Sequence, residues 1–368
     1  MKIVRVGQVG SGFIGKVHAK CFQMLQNVEV VAQHCNDSAR GKAHCAELGI
    51  PDRYDSYEEM LARKDIDVVS IGIPNFLHAE FALKAIAAGK HVICEKPLAL
   101  TLEEADAMIE AAKKVGVIIG YAEELCYLPK FVEAKRIADT GALGEVFLAK
   151  QSEKHAGPYS PWFLKSETAG GGILMDMGCH AIEFCRWALG KPPVKSVYCD
   201  VDLFVHKEVT ELDDHIIMII EFEGGKKALV ESSWTLQGGM ESLAELHGTK
   251  GVIRSNLYHE GLGLKVYSND GHGDSWDDDH VEKGWSSPEW EWAWQNGYPQ
   301  EMQDFVNCIR SGETPVESAV DGRAVLEIMI AGYMSAAQGR KIEFPFVDPG
   351  GYRTPVDIWL NAKKKGEG

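Results

Sequence analysis

At 368 residues the chain exceeds one comfortable core, which points to two domains. Its 45% hydrophobic and 25% charged residues are ordinary for a soluble globular protein. With 38 basic against 54 acidic residues the formal net charge is −16, so nucleic acid and anionic membrane are disfavoured partners.

Residues 1–9, MKIVRVGQV, hold an apolar run too short for a secretory signal, and they lead straight into glycines. No stretch approaches the roughly 20 apolar residues of a membrane helix. The nine cysteines are odd in number and form no CxxC pair. Reduced, mostly buried thiols in the cytoplasm are therefore expected.

Over residues 1–121 short apolar strands alternate with helices. Strands are expected at 3–9, 28–32, 66–73, 91–94 and 117–120, and helices at 13–25, 38–48, 78–88 and 102–115. This is the pattern of a parallel, doubly wound sheet. The second half changes character. A helix near 130–139 precedes strands at 146–150, 194–205, 215–222, 227–235, 242–247 and 251–255, interrupted by one helix at about 173–189. Glu223-Gly224-Gly225-Lys226 reads as a hairpin turn. Helices return at 300–310 and 319–338, and residues 363–368 are expected to fray. The fold class is α/β: a Rossmann sheet over 1–122, then an α+β unit over 123–368 with an open, mainly antiparallel sheet.

Gly10, Gly12 and Gly15 form a GxGxxG between the first strand and the first helix. That context makes the motif a dinucleotide site: tight turn, close approach to a pyrophosphate, and close helix packing. The acid expected about 20 residues on, for the ribose hydroxyls, is missing. Cys35 falls at its place, with Asn36 and Asp37 beside it and Arg40 placed to receive a 2′-phosphate. NAD is favoured because no cluster of basic residues follows the strand, and NADP stays open.

Two further stretches carry chemistry. In Glu95-Lys96-Pro97, at a strand's carboxyl end, Lys96 can steady charge on a substrate oxygen, and Pro97 fixes a turn that allows a cis bond. In Gly170-Gly171-Gly172 the glycines read as a flexible lead-in to a helix bearing Asp176 and His180 four residues apart. A histidine base oriented by the carboxylate fits that spacing. A mutually satisfied buried pair also fits it. A cation bound with help from His155 or Glu153 is a weaker reading, and no metal is assigned.

These stretches together resemble the glucose–fructose oxidoreductase/inositol dehydrogenase (Gfo/Idh/MocA) family over nearly the whole chain. The matching segments are GSGFIGKVH at 10–18, IPNFLH at 73–78, GKHVICEKPLAL at 89–100, GGGILMDMGCH at 170–180 and GYPQEMQDFVNCIRSGETP at 297–315. The resemblance implies Lys96, Asp176 and His180 as the catalytic set. It implies cofactor contacts at Gly10, Gly12, Phe13, Ile14, Gly15, Pro74, Asn75, His78, Glu95 and Lys96, and pairing of copies through the open sheet. One departure stands out: where the family often has asparagine and arginine, this chain has Glu124 and Cys126.

The substrate expectation is a sugar-like or cyclitol-like polyol, held by Lys96, Glu124, His155, Tyr159, Trp162, Asp176 and His180. Trp285, Trp290, Trp292 and Trp294 form an aromatic segment read as packing or an oligomer contact, and Asp277-Asp278-Asp279 as a solvated loop. The expected reaction oxidises a ring CH–OH, C3 of a sugar being one candidate position. His180 would be the base, oriented by Asp176, and Lys96 the stabiliser of charge. A redox-neutral, NAD-dependent glycoside-cleaving enzyme is the alternative within enzymes. A non-catalytic dinucleotide-sensing regulator is the alternative outside them.

Overall fold

Six short strands build the first sheet: β1 (Val4–Val9), β2 (Val28–His34), β3 (Asp52–Tyr54), β4 (Val68–Ile71), β5 (His91–Glu95) and β6 (Ile119–Ala122). The computed structural model describes residues 2–258, 266–273, 281–286 and 292–366. The strand order is β3-β2-β1-β4-β5-β6 and every pair is parallel. Strands covered on both faces are largely apolar, and β4 is buried at all four positions, its one polar residue, Ser70, pairing with His18 at 2.9 Å. Helices α1 (Phe13–Met24), α2 (Ser38–Leu48), α3 (Tyr57–Leu61), α4 (His78–Ala87) and α5 (Leu102–Val115) connect them. The helix α5 shows how local chemistry sets its ends. Thr101 and Glu104 form a capping box, and Gly116 closes the helix in the left-handed conformation. The elements β3 and α3 were not expected; each is too short for periodicity to register.

The second sheet follows α6 (Pro129–Asp139). Its strands are β7 (Val146–Lys154), β8 (Val194–Asp202), β9 (His215–Phe222), β10 (Lys227–Ser233), β11 (Glu241–Gly248) and β12 (Val252–Asn256). A two-stranded ribbon, β13 (Val266–Gly273) and β14 (Val281–Ser286), stands apart, and the short β15 (Ile342–Glu343) completes the sheet in the order β12-β11-β7-β10-β9-β8-β15. Neighbours run antiparallel except β7 and β10, which are parallel. The turn at 223–225 joins the antiparallel β9 and β10, with Gly224 and Gly225 at positive φ. Alternation along β9 buries one face and leaves Ile217 and Ile219 exposed on the other.

The inner face of this sheet is covered by α8 (Cys179–Ala188), all ten residues of which are buried. After the short α7 (Ser166–Ala169) the expected helix 173–189 is broken. Leu174–Gly178 forms a π-helical turn and only then does α8 begin. The glycines before it are not a flexible lead-in. A Cβ on Gly172 would lie 1.9 Å from the Asp213 carbonyl oxygen, and one on Gly171 would lie 2.2 Å from the Tyr333 hydroxyl. Close packing requires glycine here.

The chain then returns to the first sheet. After α9 (Trp292–Gln295), α10 (Tyr298–Ser311) packs on α1, and α11 (Ala319–Gln338) packs on both α5 and β8. The last helix, α12 (Asp357–Gly366), lies on α11 and extends through Lys363–Lys365, where fraying was expected. Asp277-Asp278-Asp279 lies outside the described residues. Among them no helix is long and apolar enough to cross a membrane.

Asp213 ties the π turn to the sheet. Wholly buried, it accepts hydrogen bonds from Gly172 N (3.0 Å), Leu174 N (2.8 Å) and the Tyr333 hydroxyl (2.8 Å). Asp213→Ala strands these donors, so a loss of about 2–3 kcal/mol is expected. Urea unfolding should show it as a lower midpoint at unchanged slope; an unmoved midpoint would refute the role.

Candidate active site

The crevice lies at the carboxyl ends of β1 and β4, where the strand order reverses. Gly10 has φ +98°, and a Cβ there would stand 2.1 Å from the Gly72 carbonyl oxygen. A Cβ on Gly15 would be 2.6 Å from the Gly10 carbonyl. Both glycines are demanded by close backbone packing. Gly12 differs: a Cβ there would meet nothing within 4 Å. The space is open, and α1 begins at Gly12 without a side-chain cap. Unsatisfied N–H groups facing open space suit a pyrophosphate.

Around this loop, Cys35 Sγ lies 2.9 Å from Ser11 Oγ, and Arg40 Nε donates to the same hydroxyl at 3.1 Å. Asn36 is exposed. Asp37 is engaged as the cap of α2, accepting from Arg40 N at 3.0 Å. Cys35 therefore stands beside the glycine loop where an acid was expected. Phe13 is exposed and packs edge-on against Trp292 at 5.6 Å, and Ile14 lies against Gly72.

Lys96 follows β5 and its bond to Pro97 is cis. Its Nζ donates to the Asp176 backbone oxygen (2.8 Å) and to Asp176 Oδ1 (3.2 Å). Trp234 Nε1 donates to Asp176 Oδ2 at 3.0 Å, and His155 Nε2 is 3.6 Å from the same oxygen. Burial disfavours both charges. The Asp176 carboxylate outweighs it and holds Lys96 above the usual lysine range; Lys96 first, then His155 and Trp234, holds Asp176 well below the carboxylate range.

His180 has a different partner from the one expected. Its Nδ1 is 2.7 Å from Glu123 Oε1 and 3.6 Å from Glu124 Oε2; the groups bound to Asp176 are Lys96, Trp234 and His155. The π turn breaks the 3.6-residue spacing that would have paired Asp176 with His180. Burial lowers the His180 pKa to about 4 and pushes Glu123 and Glu124 up, so both partners favour their neutral forms.

The remaining expected residues divide. Glu124 accepts from the Tyr298 hydroxyl at 3.2 Å beside His180. His155 stacks on Tyr159 at 5.2 Å, and Tyr159 is 70% exposed. Trp162 stacks on Phe163 at 3.8 Å, away from the charged cluster's hydrogen bonds. Asn75, next to Pro74, donates to the Ala169 carbonyl at 2.8 Å and so joins the crevice to the loop that precedes the π turn. His78 is wholly buried with its two ring nitrogens 2.8 Å from the carbonyl oxygens of Pro97 and Ile73. It holds the Lys96 turn in place rather than facing the crevice. Glu95 is buried beside His18 Nε2 at 2.9 Å and accepts from Lys96 N. Of the tryptophan segment, Trp292 stacks on Tyr298 at 5.4 Å, Trp294 is exposed, Trp285 lies in β14, and Trp290 falls outside the described residues.

Glu123, Trp234 and Tyr298 were missed as site residues. A lone glutamate or tryptophan carries no signal until the fold brings it to His180 or Asp176. Glu123, Cys179 and His180 bring ligand atoms within 4.8 Å of one another. The Cys179 thiol donates to the Asp176 backbone oxygen and burial raises its pKa well above 9.0, which disfavours the thiolate a metal needs.

Comparison with known proteins decides the family. Residues 4–123 match the Gfo/Idh/MocA oxidoreductase family, NAD-binding Rossmann fold, and residues 131–254 match the Gfo/Idh/MocA C-terminal domain. The structure of GenD2 from gentamicin A biosynthesis in complex with NAD shares 33% identity at a TM-score of 0.87, covering 94% of this chain and 97% of that one. This chain belongs to the Gfo/Idh/MocA family. Other relatives are the scyllo-inositol 2-dehydrogenase (NAD(+)) of Bacillus subtilis, 29% identical over 92% of this chain and 96% of that protein, and the D-glucoside 3-dehydrogenase of Escherichia coli, 26% identical over 92% and 97%. This family member is an oxidoreductase with an NAD-binding Rossmann fold.

Two tests follow from the geometry. Gly12→Val fills the open space before α1, and calorimetric titration should show NAD(H) binding lost; wild-type affinity would place the pyrophosphate elsewhere. The second concerns Glu153, buried on β7 with a pKa raised by burial to about 8 from an ordinary 4.5. Between those values the folded state holds a proton that the unfolded state has released, so stability falls as pH rises through the window. Denaturant midpoints measured across it should decline less steeply in Glu153→Gln than in the wild type. Equal slopes would exclude that titration.

Proposed function

We propose that this oxidoreductase moves a hydride between NAD and a ring CH–OH of a sugar, glycoside or cyclitol, with C3 of a sugar as the first position to test. The observation that carries the proposal is the meeting of the Lys96–Asp176 and His180–Glu123 pairs just past the carboxyl ends of β5 and β6. The relatives' activities on inositol and glucosides favour the same substrate class.

NAD, when bound, supplies the hydride acceptor. The chain's own residues handle the proton and the charge. His180 Nδ1 and Glu123 Oε1 lie 2.7 Å apart, close enough to share a proton. With it on Nδ1, Nε2 offers a lone pair to the substrate hydroxyl. As Nε2 takes the hydroxyl proton, the Nδ1–H bond to Glu123 Oε1 keeps the ring in position. Its burial, which favours neutral forms beforehand, makes the site a base without stored charge. Lys96 stays cationic because Asp176 faces it, and it steadies the negative charge that develops on the oxygen. Trp234 and His155 hold the Asp176 carboxylate, so Lys96 is fixed in turn.

We propose further that a second copy packs on the outer face of the second sheet, where Ile217 and Ile219 are exposed. Nine unpaired, buried cysteines favour a reducing compartment, the cytoplasm.

His180→Ala and Lys96→Ala should each cut turnover by about 10²–10⁴ while NAD binding persists. The assay is single-turnover reduction of bound NAD by an active polyol. Wild-type rates in both variants would remove these residues from the chemistry. If no sugar, glycoside or cyclitol reduced NAD in the wild type, a dinucleotide-sensing regulator would be the better reading.

A further inference from the structure

The substrate end of the site holds more carboxyl groups than the proton chemistry uses. Glu124 sits beside His180 with its side chain 13% exposed. Glu123 is fully buried and has a second oxygen, Oε2, without a hydrogen-bond partner. Glu153 projects from the inner face of β7, and its hydrogen bonds, from Gln151 Nε2 and the Ser242 hydroxyl, both fall on Oε1. Glu301, on α10, is fully buried with neither carboxyl oxygen hydrogen-bonded.

Geometry places Glu153 in the same pocket: Glu153 and its register partner Ser232 stand two residues before His155 and Trp234, on the face of the sheet that addresses Asp176. Burial raises the proton affinity of Glu153 and Glu301, and the neighbouring acids add to it. Among the described residues no lysine or arginine ion-pairs with Glu123, Glu124 or Glu153; the partner of Glu123 and Glu124 is His180, which burial keeps neutral. Lys96 is already matched by Asp176. A second kind of observation points the same way. Ser232 Oγ, on the strand register opposite Glu153, is completely buried and has no partner. A buried, unpartnered hydroxyl next to an acid with a free oxygen is a polar surface built for something that is not protein.

A neutral ring hydroxyl is served as well by an amide side chain, which needs no proton to be uncharged. Several acids that share one lysine, itself paired with Asp176, are useful toward a further positive charge, because hydrogen bonds with an ionised partner are about twice as strong as neutral ones. We infer that the substrate of this site carries an ammonium group, an amino sugar or aminocyclitol, and that Glu124 and Glu153, backed by Glu123, receive it. This rests on the sugar or cyclitol reading above and narrows it to a cationic member of that class. Burial raises the Glu153 pKa to about 8, so docking an ammonium against it would favour its ionised form and pass its proton to solvent.

The test compares methyl glucoside and myo-inositol with their amino-deoxy derivatives, the amine placed at each ring position in turn. The full-length enzyme and NAD are used, and kcat/KM is read from NADH formation. At least one amine should exceed its parent by about tenfold or more. Glu124→Gln and Glu153→Gln should each bring that ratio towards one. Should a variant fail to fold, as thermal unfolding would reveal, a second measurement decides. The NADH-loaded wild type is titrated with the preferred amine in buffers of different ionisation enthalpy, and proton release is expected with the amine and not with its parent. Parents turned over as well as every amine, ratios unchanged in both variants, or amine binding without proton release would each overturn the inference. Activity on the parents alone would leave the broader reading intact, whereas no NAD reduction by any compound would end both.

Discussion

The contact between Lys96 and Asp176 joins the two halves of the molecule at their reactive ends. Lys96 comes from the carboxyl end of β5 in the parallel sheet, and Asp176 from the π turn that precedes α8 over the second sheet. Asp176 is buried and Lys96 mostly so, and a buried charge without its partner is far more costly than a matched pair. Each therefore constrains the other, and much of the neighbouring structure serves to keep them in register. His78 bridges the Pro97 carbonyl of the Lys96 turn to the Ile73 carbonyl after β4, and Asp213 fixes the π turn through two backbone N–H groups. Asn75 links the crevice to the loop just before that turn.

The topology of the second sheet explains how Asp176 acquires its other partners. In a sheet that is otherwise antiparallel, β7 and β10 run side by side in the same direction. Their carboxyl ends fall together, so His155 and Trp234, the residues that follow them, arrive at one edge, bridged by a hydrogen bond from His155 N to the Ser233 carbonyl at 3.0 Å. Both side chains then address one carboxylate oxygen. An antiparallel neighbour would have placed the residue after its strand at the opposite end of the sheet.

Burial sorts the titratable groups into two sets. Lys96 and Asp176 keep their charges because each supplies the other's counter-charge. His180 and the surrounding glutamates lack such a counter-charge and are driven towards their neutral forms. The result is a fixed positive charge and a neutral base within one pocket. The alcohol oxidation we propose would use that arrangement to move a proton from a neutral hydroxyl to a neutral imidazole beside a permanent cation.

How much of this was legible before folding differs residue by residue. Gly10, Gly12 and Gly15 could be read because a pyrophosphate turn is a local structure, set by backbone conformations a few residues apart. The parallel sheet and most helix limits were readable for the same reason: periodicity and caps act within one or two turns of chain. Lys96, Asp176 and His180 stood out by residue type and position, and more strongly as parts of a family's set of motifs, but the spacing of the last two suggested the wrong pairing. Asp176 and His180 are four apart in sequence, but a π turn separates their environments. Glu123 reaches His180 from 57 residues away and Trp234 reaches Asp176 from 58. Neither contact leaves a trace in periodicity, because a single long-range hydrogen bond constrains no neighbouring position. The sequence by itself determined the layers, the nucleotide turn and the residue types able to move a proton. Only the tertiary structure decided which acid faces which base, because burial and opposing charge at close range are properties of the packed interior and not of the chain.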